Sequence, residues 1–299
     1  MDGLIQPESA EADFAELIGR LGSRLVEVAP LTQLRVRDHR RGCYRVRLAD
    51  GRVFKYRRMP TARRAEMVER LTTLIDSPQI PRVVDRCGTG LLIEFVNART
   101  LGRDDISPEF LAETASLQGR IHRTKVYDLL PEGTSTDAKK HVGRLRSSID
   151  RLVSLHALTV CEGNDLCALA LSHAPRSSDS GLTHNDFCSH NILLAAAGSF
   201  FVVDNETVAI GPYDFDLART WYLWPMNPRA RAAYWDGYAR HRDPVDFVSS
   251  FYFWIIYVMA RSALFRLRGE SPKAAVPLGK LRHLLTGFDT NTSEPHLFM

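Results

Sequence analysis

The feature that most constrains this chain is a pair of short apolar runs, each joined to an amide or acidic side chain. The first run, "ILL" (192–194), directly follows Asn191, and the second, "FFVV" (200–203), directly precedes Asp204. The segment "AAAGS" between them contains a turn-forming glycine, so the two runs predict an antiparallel hairpin. Asn191 and Asp204 then lie at the same open end of that hairpin, although 13 residues separate them in the sequence.

A third oxygen-bearing side chain, Asp186, lies five residues before Asn191 and can reach the same place across a short loop. Two carboxylates and an amide oxygen in one place repel each other unless a cation is present. Hard oxygen ligands suit Mg²⁺, which typically combines one or two carboxylates with substrate phosphates. The alternative is a polar loop whose Asp and Asn side chains satisfy local backbone groups. The three residues together favour a metal–phosphate site.

Composition and charge limit the classes of protein to consider. The chain has 299 residues, 44% hydrophobic and 25% charged, which is enough apolar material for one large or two moderate domains. The net charge of +4 is dispersed, apart from the cluster "RVRDHRRG" (35–42). That cluster is either a solvated loop or an anion site, and the dispersed charge predicts no nucleic-acid partner.

The sequence also predicts a cytoplasmic protein without a membrane partner. The first residues are acidic and polar, unlike a signal peptide, and the longest apolar run, "FYFWIIYVMA" (251–260), is too short to span a bilayer. We expect that run to form a buried core helix. The five scattered cysteines show no CxxC pair, which indicates reduced thiols.

The first third of the chain is predicted to be rich in strands. The "DG" pair at Asp50 separates two strand-like runs and predicts a second hairpin. A helix is expected over residues 61–75, with Met67, Leu71, Leu74 and Ile75 facing inward. "LLIEFV" (91–96) reads as a buried strand, and mostly helical patterns follow the polar, turn-rich segment after it.

His184, Asp186 and Asn191 in "HNDFCSHN", with Asp204 and Glu206 in "VVDNE", resemble the catalytic segments of the aminoglycoside phosphotransferase and choline kinase superfamily. "GPYDFDLAR" resembles the next block of that family, and order and spacing agree over more than thirty residues. The resemblance implies a small-molecule kinase. It also implies an α+β, protein-kinase-like bilobal fold with a small β-rich N-lobe (1–95) and a larger, mostly helical C-lobe (96–299).

The resemblance also implies a nucleotide site in the N-lobe. Lys55, on the strand after the "DG" turn, would contact the nucleotide phosphates and be held by a glutamate of the next helix. Spacing favours Glu69, with Glu66 as the alternative. "LLIEFVNARTL" resembles the interlobe hinge, which makes the backbone groups of Glu94 and Val96 candidates for reading the base.

For catalysis, the resemblance implies that Asp186 orients the acceptor hydroxyl, while Asn191 and Asp204 hold Mg²⁺ against the phosphates of ATP or GTP.

Four neighbouring residues receive supporting roles. His184 is expected to buttress the loop rather than titrate, and Asp216 to accept backbone N–H bonds from it. His190 lies on the loop surface or in a substrate wall. Glu206 is an additional or indirect metal contact, or an exposed side chain.

One departure from the family pattern keeps a second hypothesis open. The expected nucleotide-covering loop contains only Gly42, whereas close backbone approach to phosphate needs small residues. The side chains of Arg40 and Arg41 are an alternative phosphate contact. The alternative to an ATP- and Mg²⁺-dependent kinase is therefore a non-catalytic, kinase-like binding protein.

The resemblance implies that the phosphate acceptor is a small molecule with a hydroxyl group, such as an aminoglycoside or other antibiotic, a sugar or an amino alcohol. From Thr207 onward there are eleven Lys or Arg residues against eight Asp or Glu residues, which disfavours a polycation. Six aromatic residues either line a site for a sugar or quaternary amine or pack in the helical core; these are Trp221, Tyr222, Trp224, Tyr234, Trp235 and Tyr238.

Overall fold

The computed structural model describes residues 8–31, 42–126, 138–176, 178–196, 198–224 and 226–286. The chain divides into two compact units, Met1–Leu101 with His190–Ala209, and Gly102–Ser189 with Ile210–Met299. The hairpin around Asn191 therefore groups with the first unit. The two-lobe division into residues 1–95 and 96–299 stays a prediction. The arginine-rich cluster with Arg40 and Arg41 lies outside the described residues.

The regular elements alternate between strand-rich and helical stretches. In chain order they are α1 (Glu8–Arg20), β1 (Leu25–Pro30), β2 (Cys43–Leu48), β3 (Val53–Arg58), α2 (Ala62–Thr73), β4 (Val83–Cys87), β5 (Gly90–Glu94), β6 (Arg99–Thr100), α3 (Pro108–Arg123), α4 (Ala138–Ser154), α5 (Val160–Ser172), β7 (Ser180–Thr183), β8 (Ile192–Leu194), β9 (Phe200–Val202), β10 (Ala209–Pro212), α6 (Tyr213–Leu223), α7 (Pro228–Ala239), α8 (Val245–Ser249), α9 (Phe251–Arg268) and α10 (Ala275–Thr286).

An antiparallel sheet with the order β1-β2-β3-β5-β4 forms the centre of the first unit. The predicted "DG" hairpin joins β2 to β3, and Gly51 adopts a φ of +87°, which a glycine tolerates without strain. On β3, Lys55 lies opposite Arg45 of β2 and Ile93 of β5. Because β3 has a neighbour on each side, Lys55 projects from a well-fixed strand.

The helix predicted over residues 61–75 is α2, and two of its four predicted inward residues, Leu71 and Ile75, are buried. Met67 and Leu74 are each 39% exposed, whereas Ala65, Val68 and Thr72 are buried. Hydrophobic periodicity favoured the larger side chains, but the small Ala65 packs beside Met59, Val68, Leu91 and Ile93 in the core of this unit. The helix therefore buries Val68 and Thr72 beside Leu71, in place of Met67 and Leu74.

The predicted hairpin around the "AAAGS" turn is confirmed. Strand β8 pairs antiparallel with β9, with Ile192 opposite Val202, and the short β6 adds a third strand opposite Leu193 and Leu194. The third strand carries no strong pattern of its own, because two residues are too few to show alternation.

The second unit is built mainly from helices packed around α9. The run "FYFWIIYVMA" lies within α9, where Phe253, Trp254 and Ile256 are fully buried, so the predicted core helix is confirmed. No helix of the described ranges is long and apolar enough to cross a membrane.

Helices α3 and α7 approach each other closely at Gly237. A Cβ atom added at this glycine would lie 2.0 Å from the carbonyl oxygen of Ala112 and 2.6 Å from its Cα atom. Both are backbone atoms, so relief would require the two helices to separate. The close approach therefore depends on the missing side chain.

We expect Gly237→Ala to lower the free energy of unfolding by about 1–3 kcal/mol because of this overlap. Gly279→Ala is the matched control, since Gly279 also lies in a helix but an added Cβ meets nothing within 4 Å. The control should be neutral or stabilising by up to about 1 kcal/mol. Chemical denaturation of both variants measures the difference; equal effects would contradict the packing described here.

Candidate active site

The hairpin places Asn191 and Asp204 at its open end. The backbone N–H of Val203 donates to the carbonyl oxygen of Asn191 at 2.8 Å, which fixes the residue next to Asp204 against Asn191. Asp204 itself adopts a left-handed backbone conformation, with φ 61° and ψ 39°. Aspartate tolerates this conformation better than most residues, and such backbone conformations are frequent at functional sites. That these two residues bind a metal ion stays a prediction.

Lys55 is the central charge of the first unit. Its Nζ lies 2.6 Å from Oδ1 of Asp204 and 2.8 Å from Oε1 of Glu206. Only 13% of the Lys55 side chain is exposed, and only 6% of that of Glu206. Burial lowers the pKa of Lys55, but the carboxylates of Glu206 and Asp204 outweigh it and raise the pKa above its usual value. Lys55 is therefore held as a cation.

Glu206 is the buried partner in this arrangement. Its Oε1 also lies 3.5 Å from Nε of Arg57. Its main-chain carbonyl accepts from Nη2 of Arg64 at 2.7 Å, and the same nitrogen donates to the carbonyl of Val208 at 2.9 Å. The alternative in which Glu206 is merely exposed is wrong, because Lys55, Arg57 and Arg64 enclose its carboxylate and its backbone.

The predicted pairing of Lys55 with Glu69 is also wrong. The carboxylate of Glu69 accepts from Nε of Arg86 at 2.6 Å instead, and Glu66 faces Arg70 at 3.9 Å. Val68, the neighbour of Glu69 on α2, is the residue that faces the interior. Lys55 takes its acidic partners from the segment after β9.

A pocket of about 340 Å³ opens beside Lys55 within the first unit. Its walls include Lys55, Glu94, Val96 and Asp204, four of the residues that the sequence assigned to a nucleotide and metal site. The remaining lining is mostly apolar and comprises Leu31, Cys43, Val68, Thr72, Pro81, Val83, Ile93, Phe95, Ala98, Thr100, Leu193, Val203 and Asn205. Glu69 is not among the lining residues.

The side chain of Glu94 is held by a neighbour. Its carboxylate accepts from the backbone N–H of Arg82 at 3.0 Å and from Nη2 of the same residue at 2.7 Å. The Arg82 guanidinium outweighs burial and lowers the pKa of Glu94. The backbone groups of residues 94–96, more than the Glu94 side chain, are therefore available to a ligand in the pocket. Base contacts through Glu94 and Val96 stay a prediction.

In the second unit, Asp216 organises the loop that carries Asp186. The fully buried Asp216 accepts the backbone N–H of His184 at 3.1 Å and that of Asn185 at 2.7 Å. Its carboxylate also lies 3.0 Å from Nε2 of His122. The predicted supporting role of Asp216 is thus confirmed. Burial would raise the pKa of Asp216, but bonding to His122 outweighs it and keeps the pKa low.

Sequence reasoning missed the buried side chains behind Asp216. Burial lowers the pKa of His122, whose Nδ1 lies 2.7 Å from the Tyr238 hydroxyl. Nε2 of Gln118 lies 3.2 Å from the Asp216 carboxylate. One signal was present: Thr114, Gln118 and His122 repeat at a spacing of four on α3, and all three are buried. A polar column at helical spacing beside an apolar stripe marks a buried hydrogen-bond network.

Asp186 is held by a residue that the sequence analysis did not assign. Nη2 of Arg219 donates to Oδ1 of Asp186 at 2.6 Å, and the backbone N–H of Asp186 faces Nδ1 of His184 at 3.3 Å. His184 is fully buried, in line with its predicted supporting role, and Asn185 has a φ of 62°. Asp186 belongs to the second unit, so its convergence with Asn191 and Asp204 stays a prediction.

Asp214, two residues before Asp216, is also buried, but its pKa is raised whereas that of Asp216 is lowered. Burial raises its pKa to about 7, and the negative charges of Asp246 and Asp179 act in the same direction while Arg242 opposes them. Only 7% of Asp214 is exposed. Its carboxyl group is therefore half-protonated near neutral pH.

The sequence profile of the phosphotransferase enzyme family matches residues 30–248, and the chain belongs to this family. Membership of this family makes the protein a phosphotransferase. The family assignment favours the enzyme over the non-catalytic alternative. No curated protein sequence matches the chain.

Solved structures share the fold at low sequence identity. A macrolide 2'-phosphotransferase from Brachybacterium faecium is 15% identical, with a TM-score of 0.64 over 92% of this chain and 98% of that one. An ethanolamine kinase from Plasmodium vivax is 14% identical, with a TM-score of 0.58 over 88% and 81%. The streptomycin–ATP–APH(2")-IIa ternary complex is 14% identical, with a TM-score of 0.61 over 94% and 97%. The predicted protein-kinase-like fold class is confirmed.

We expect Glu206→Gln to destabilise the protein by about 2 kcal/mol or more, because it leaves the buried Lys55 with one acidic partner instead of two. Glu69→Gln, which breaks only the partly exposed pair with Arg86, should cost less than about 1 kcal/mol. Denaturant titration of both variants provides the comparison. A larger loss from Glu69→Gln would argue against Glu206 as the partner of Lys55.

The raised pKa of Asp214 predicts a pH-dependent effect of Asp214→Asn. Between the unfolded pKa of about 4 and the folded pKa of about 7, the folded state binds the extra proton, so this contribution to stability falls as pH rises. The neutral Asn should therefore stabilise the protein at pH 8 by about 2–4 kcal/mol relative to its effect at pH 4.5. Thermal unfolding at both pH values measures this. The exposed Asp236→Asn should show no comparable difference.

Proposed function

We propose that the protein transfers the γ-phosphoryl group of ATP to a hydroxyl group of a small molecule in a Mg²⁺-dependent reaction. The observation that carries this proposal is the apolar pocket whose wall contains Asp204 and the largely buried Lys55. A phosphate-binding lysine beside an acidic metal ligand is the combination that phosphoryl transfer requires.

The pocket supports a nucleoside triphosphate as the donor. Its volume of about 340 Å³ falls within the usual range for small-molecule sites, and its walls are mostly apolar, as a purine requires. ATP stands in the ternary complex that shares this fold, and GTP is the alternative donor. In this proposal the backbone groups of Glu94 and Val96 contact the base.

Asn191 and Asp204 fit a magnesium site. Both supply hard oxygen donors from one end of the hairpin, and the Asp204 side chain is 55% exposed, so its carboxylate is accessible to a further cation. When bound, Mg²⁺ neutralises phosphate charge and fixes the phosphates for transfer.

Lys55 contributes a fixed positive charge toward the nucleotide phosphates. A flexible lysine would lose side-chain entropy on binding, whereas the contacts with Glu206 and Asp204 already restrict Lys55 to one position. Glu206 acts through Lys55 as a positioning residue.

Asp186 orients the acceptor hydroxyl and accepts its proton. The transition state of phosphoryl transfer is loose, so orientation contributes more than basicity. Arg219 fixes the Asp186 carboxylate at 2.6 Å, and Asp216 holds the backbone of the two preceding residues. The carboxylate is therefore oriented before the substrate binds.

We expect Asp186→Asn and Asp204→Asn each to lower kcat by at least about 10³-fold, because positioning and charge stabilisation supply most of this catalysis. Release of ADP from ATP, or of GDP from GTP, is followed over a panel of antibiotics, sugars, sugar acids and amino alcohols. Asp186→Asn should keep its affinity for Mg-ATP, whereas Asp204→Asn should lose affinity for it.

Asp150→Asn, on the exposed surface of α4, is the matched control and should behave like wild type. Wild-type protein that neither binds Mg-ATP nor releases ADP with any acceptor would refute the proposal.

A further inference from the structure

The segment that carries Asp204 has little regular structure of its own. After β9 the chain makes one turn of 3₁₀ helix, Asn205–Thr207, directly behind Asp204. The backbone N–H of Val208 donates to the carbonyl of Asn205 at 3.1 Å, whereas that of Thr207 lies 3.5 Å from the carbonyl of Asp204. Such a short turn is weak by itself, and the left-handed backbone of Asp204 persists only where its surroundings fix it. Contacts from other elements therefore keep Asp204 in position.

One arginine of α2 binds the far end of this turn. Nη2 of Arg64 donates to the carbonyl oxygens of Glu206 and Val208, at 2.7 and 2.9 Å. That nitrogen carries two hydrogens, one for each carbonyl, and the charge of the guanidinium strengthens both bonds. The last carbonyls of a helical turn have no partner within the turn. Arg64 thus supplies the bonds that the turn cannot make for itself.

Arg64 is itself held in place for this contact. Its backbone N–H donates to Oγ1 of Thr61, the residue that caps the beginning of α2, at 3.1 Å. Its side chain is partly buried, and Nη1 lies 3.6 Å from Sδ of Met67, three residues further along the helix. A guanidinium that is restricted in this way loses little further freedom when it binds the turn.

Two cations of the first unit divide the work of holding this segment. Lys55 binds the carboxylates of Asp204 and Glu206, at 2.6 and 2.8 Å, whereas Arg64 binds main-chain carbonyls. Lys55 therefore fixes the side chains and Arg64 fixes the main chain. Mg²⁺ demands a nearly ideal octahedral arrangement of its ligands, so a shift of the main chain behind Asp204 would misdirect the carboxylate even while Lys55 stays paired.

We propose that Arg64 is a positioning residue for metal binding, which holds the main chain behind Asp204 so that the carboxylate accepts Mg²⁺ in one orientation. The inference rests on the proposed function, because it gives Arg64 this role only where Asp204 is a metal ligand. Residues that orient a metal ligand without touching the ion typically change metal affinity or activity about 10- to 100-fold when they are lost.

Arg64→Met keeps an apolar stem but removes the donors, and it tests this role in calorimetric titrations of ATP at a series of Mg²⁺ concentrations. We expect the Mg²⁺ concentration for half-maximal ATP binding to rise about tenfold, with the affinity for metal-free ATP unchanged. Arg64→Lys keeps a cation with a shorter reach, so it should give an intermediate Mg²⁺ concentration.

Two controls separate positioning from stability. Arg63→Met removes the exposed arginine beside Arg64 on α2 and should behave like wild type. Leu71→Val loosens the core beneath the same helix, so it should lower the melting temperature without changing the Mg²⁺ dependence. Hydrogen exchange of the peptide that spans residues 203–208 reports on the turn without nucleotide. It should become about tenfold faster in Arg64→Met than in either control.

Combining two substitutions tests whether Arg64 acts through Asp204. In the Asp204→Asn background, Arg64→Met should weaken Mg-ATP binding by less than about twofold further, because the ligand that it orients is already lost. The inference is overturned if Arg64→Met has the Mg²⁺ dependence of Arg63→Met or of Leu71→Val, or if its effect is undiminished in the Asp204→Asn background.

The wild-type protein distinguishes this inference from the proposed function. ATP binding that requires Mg²⁺ and Asp204 but not Arg64 would remove the positioning role and leave the kinase proposal intact. A wild-type protein that binds no Mg-ATP would overturn both, even if the hydrogen exchange of the turn depends on Arg64.

Discussion

The arrangement of the first unit depends on one buried ion pair, that of Lys55 with Glu206. Taking an ammonium and a carboxylate out of water costs several kcal/mol each, so neither group is tolerated there without the other. The pair fixes a strand of the five-stranded sheet to the segment that follows the hairpin. Asp204, two residues before Glu206, is thereby held beside the same lysine at 2.6 Å. One pairing thus positions the wall of the pocket and the candidate metal ligand together.

The second unit also contains a buried carboxylate, but hydrogen bonds rather than an ion pair with lysine stabilise it. Asp216 is fully buried and has no permanently charged partner among the described residues; four donors share its carboxylate, namely two backbone N–H groups, His122 and Gln118. Such a network stabilises the loop only when every member is satisfied. In both units the residues closest to the proposed chemistry are thus held by a buried carboxylate, Glu206 in one and Asp216 in the other.

Short sequence patterns predicted the hairpins, because a hairpin depends on residues that are close together in the chain. The "DG" turn and the two apolar runs gave both hairpins, and therefore the common end of Asn191 and Asp204. Half of the inward face predicted for α2 was wrong, because periodicity fixes a helical stripe only to within a residue and Ala65 gives a weak signal beside Met67. Glu69 was chosen from the resemblance and its spacing, and this choice was wrong because its carboxylate pairs with Arg86. The contact between Arg219 and Asp186 joins residues 33 apart, and no local pattern reports it.

The position of Glu206 distinguishes the partner of Lys55 from its counterpart in protein kinases. In protein kinases the corresponding lysine pairs with a glutamate on a movable helix, and displacing that helix switches the enzyme off. Here α2 contributes Arg64, which binds main-chain carbonyls, while the acidic partners of Lys55 follow β9 on the same short stretch of chain. Among the described residues, the two glutamates of α2 pair with arginines, so the ion pairs of Lys55 depend on the segment after β9 and not on a glutamate of the helix.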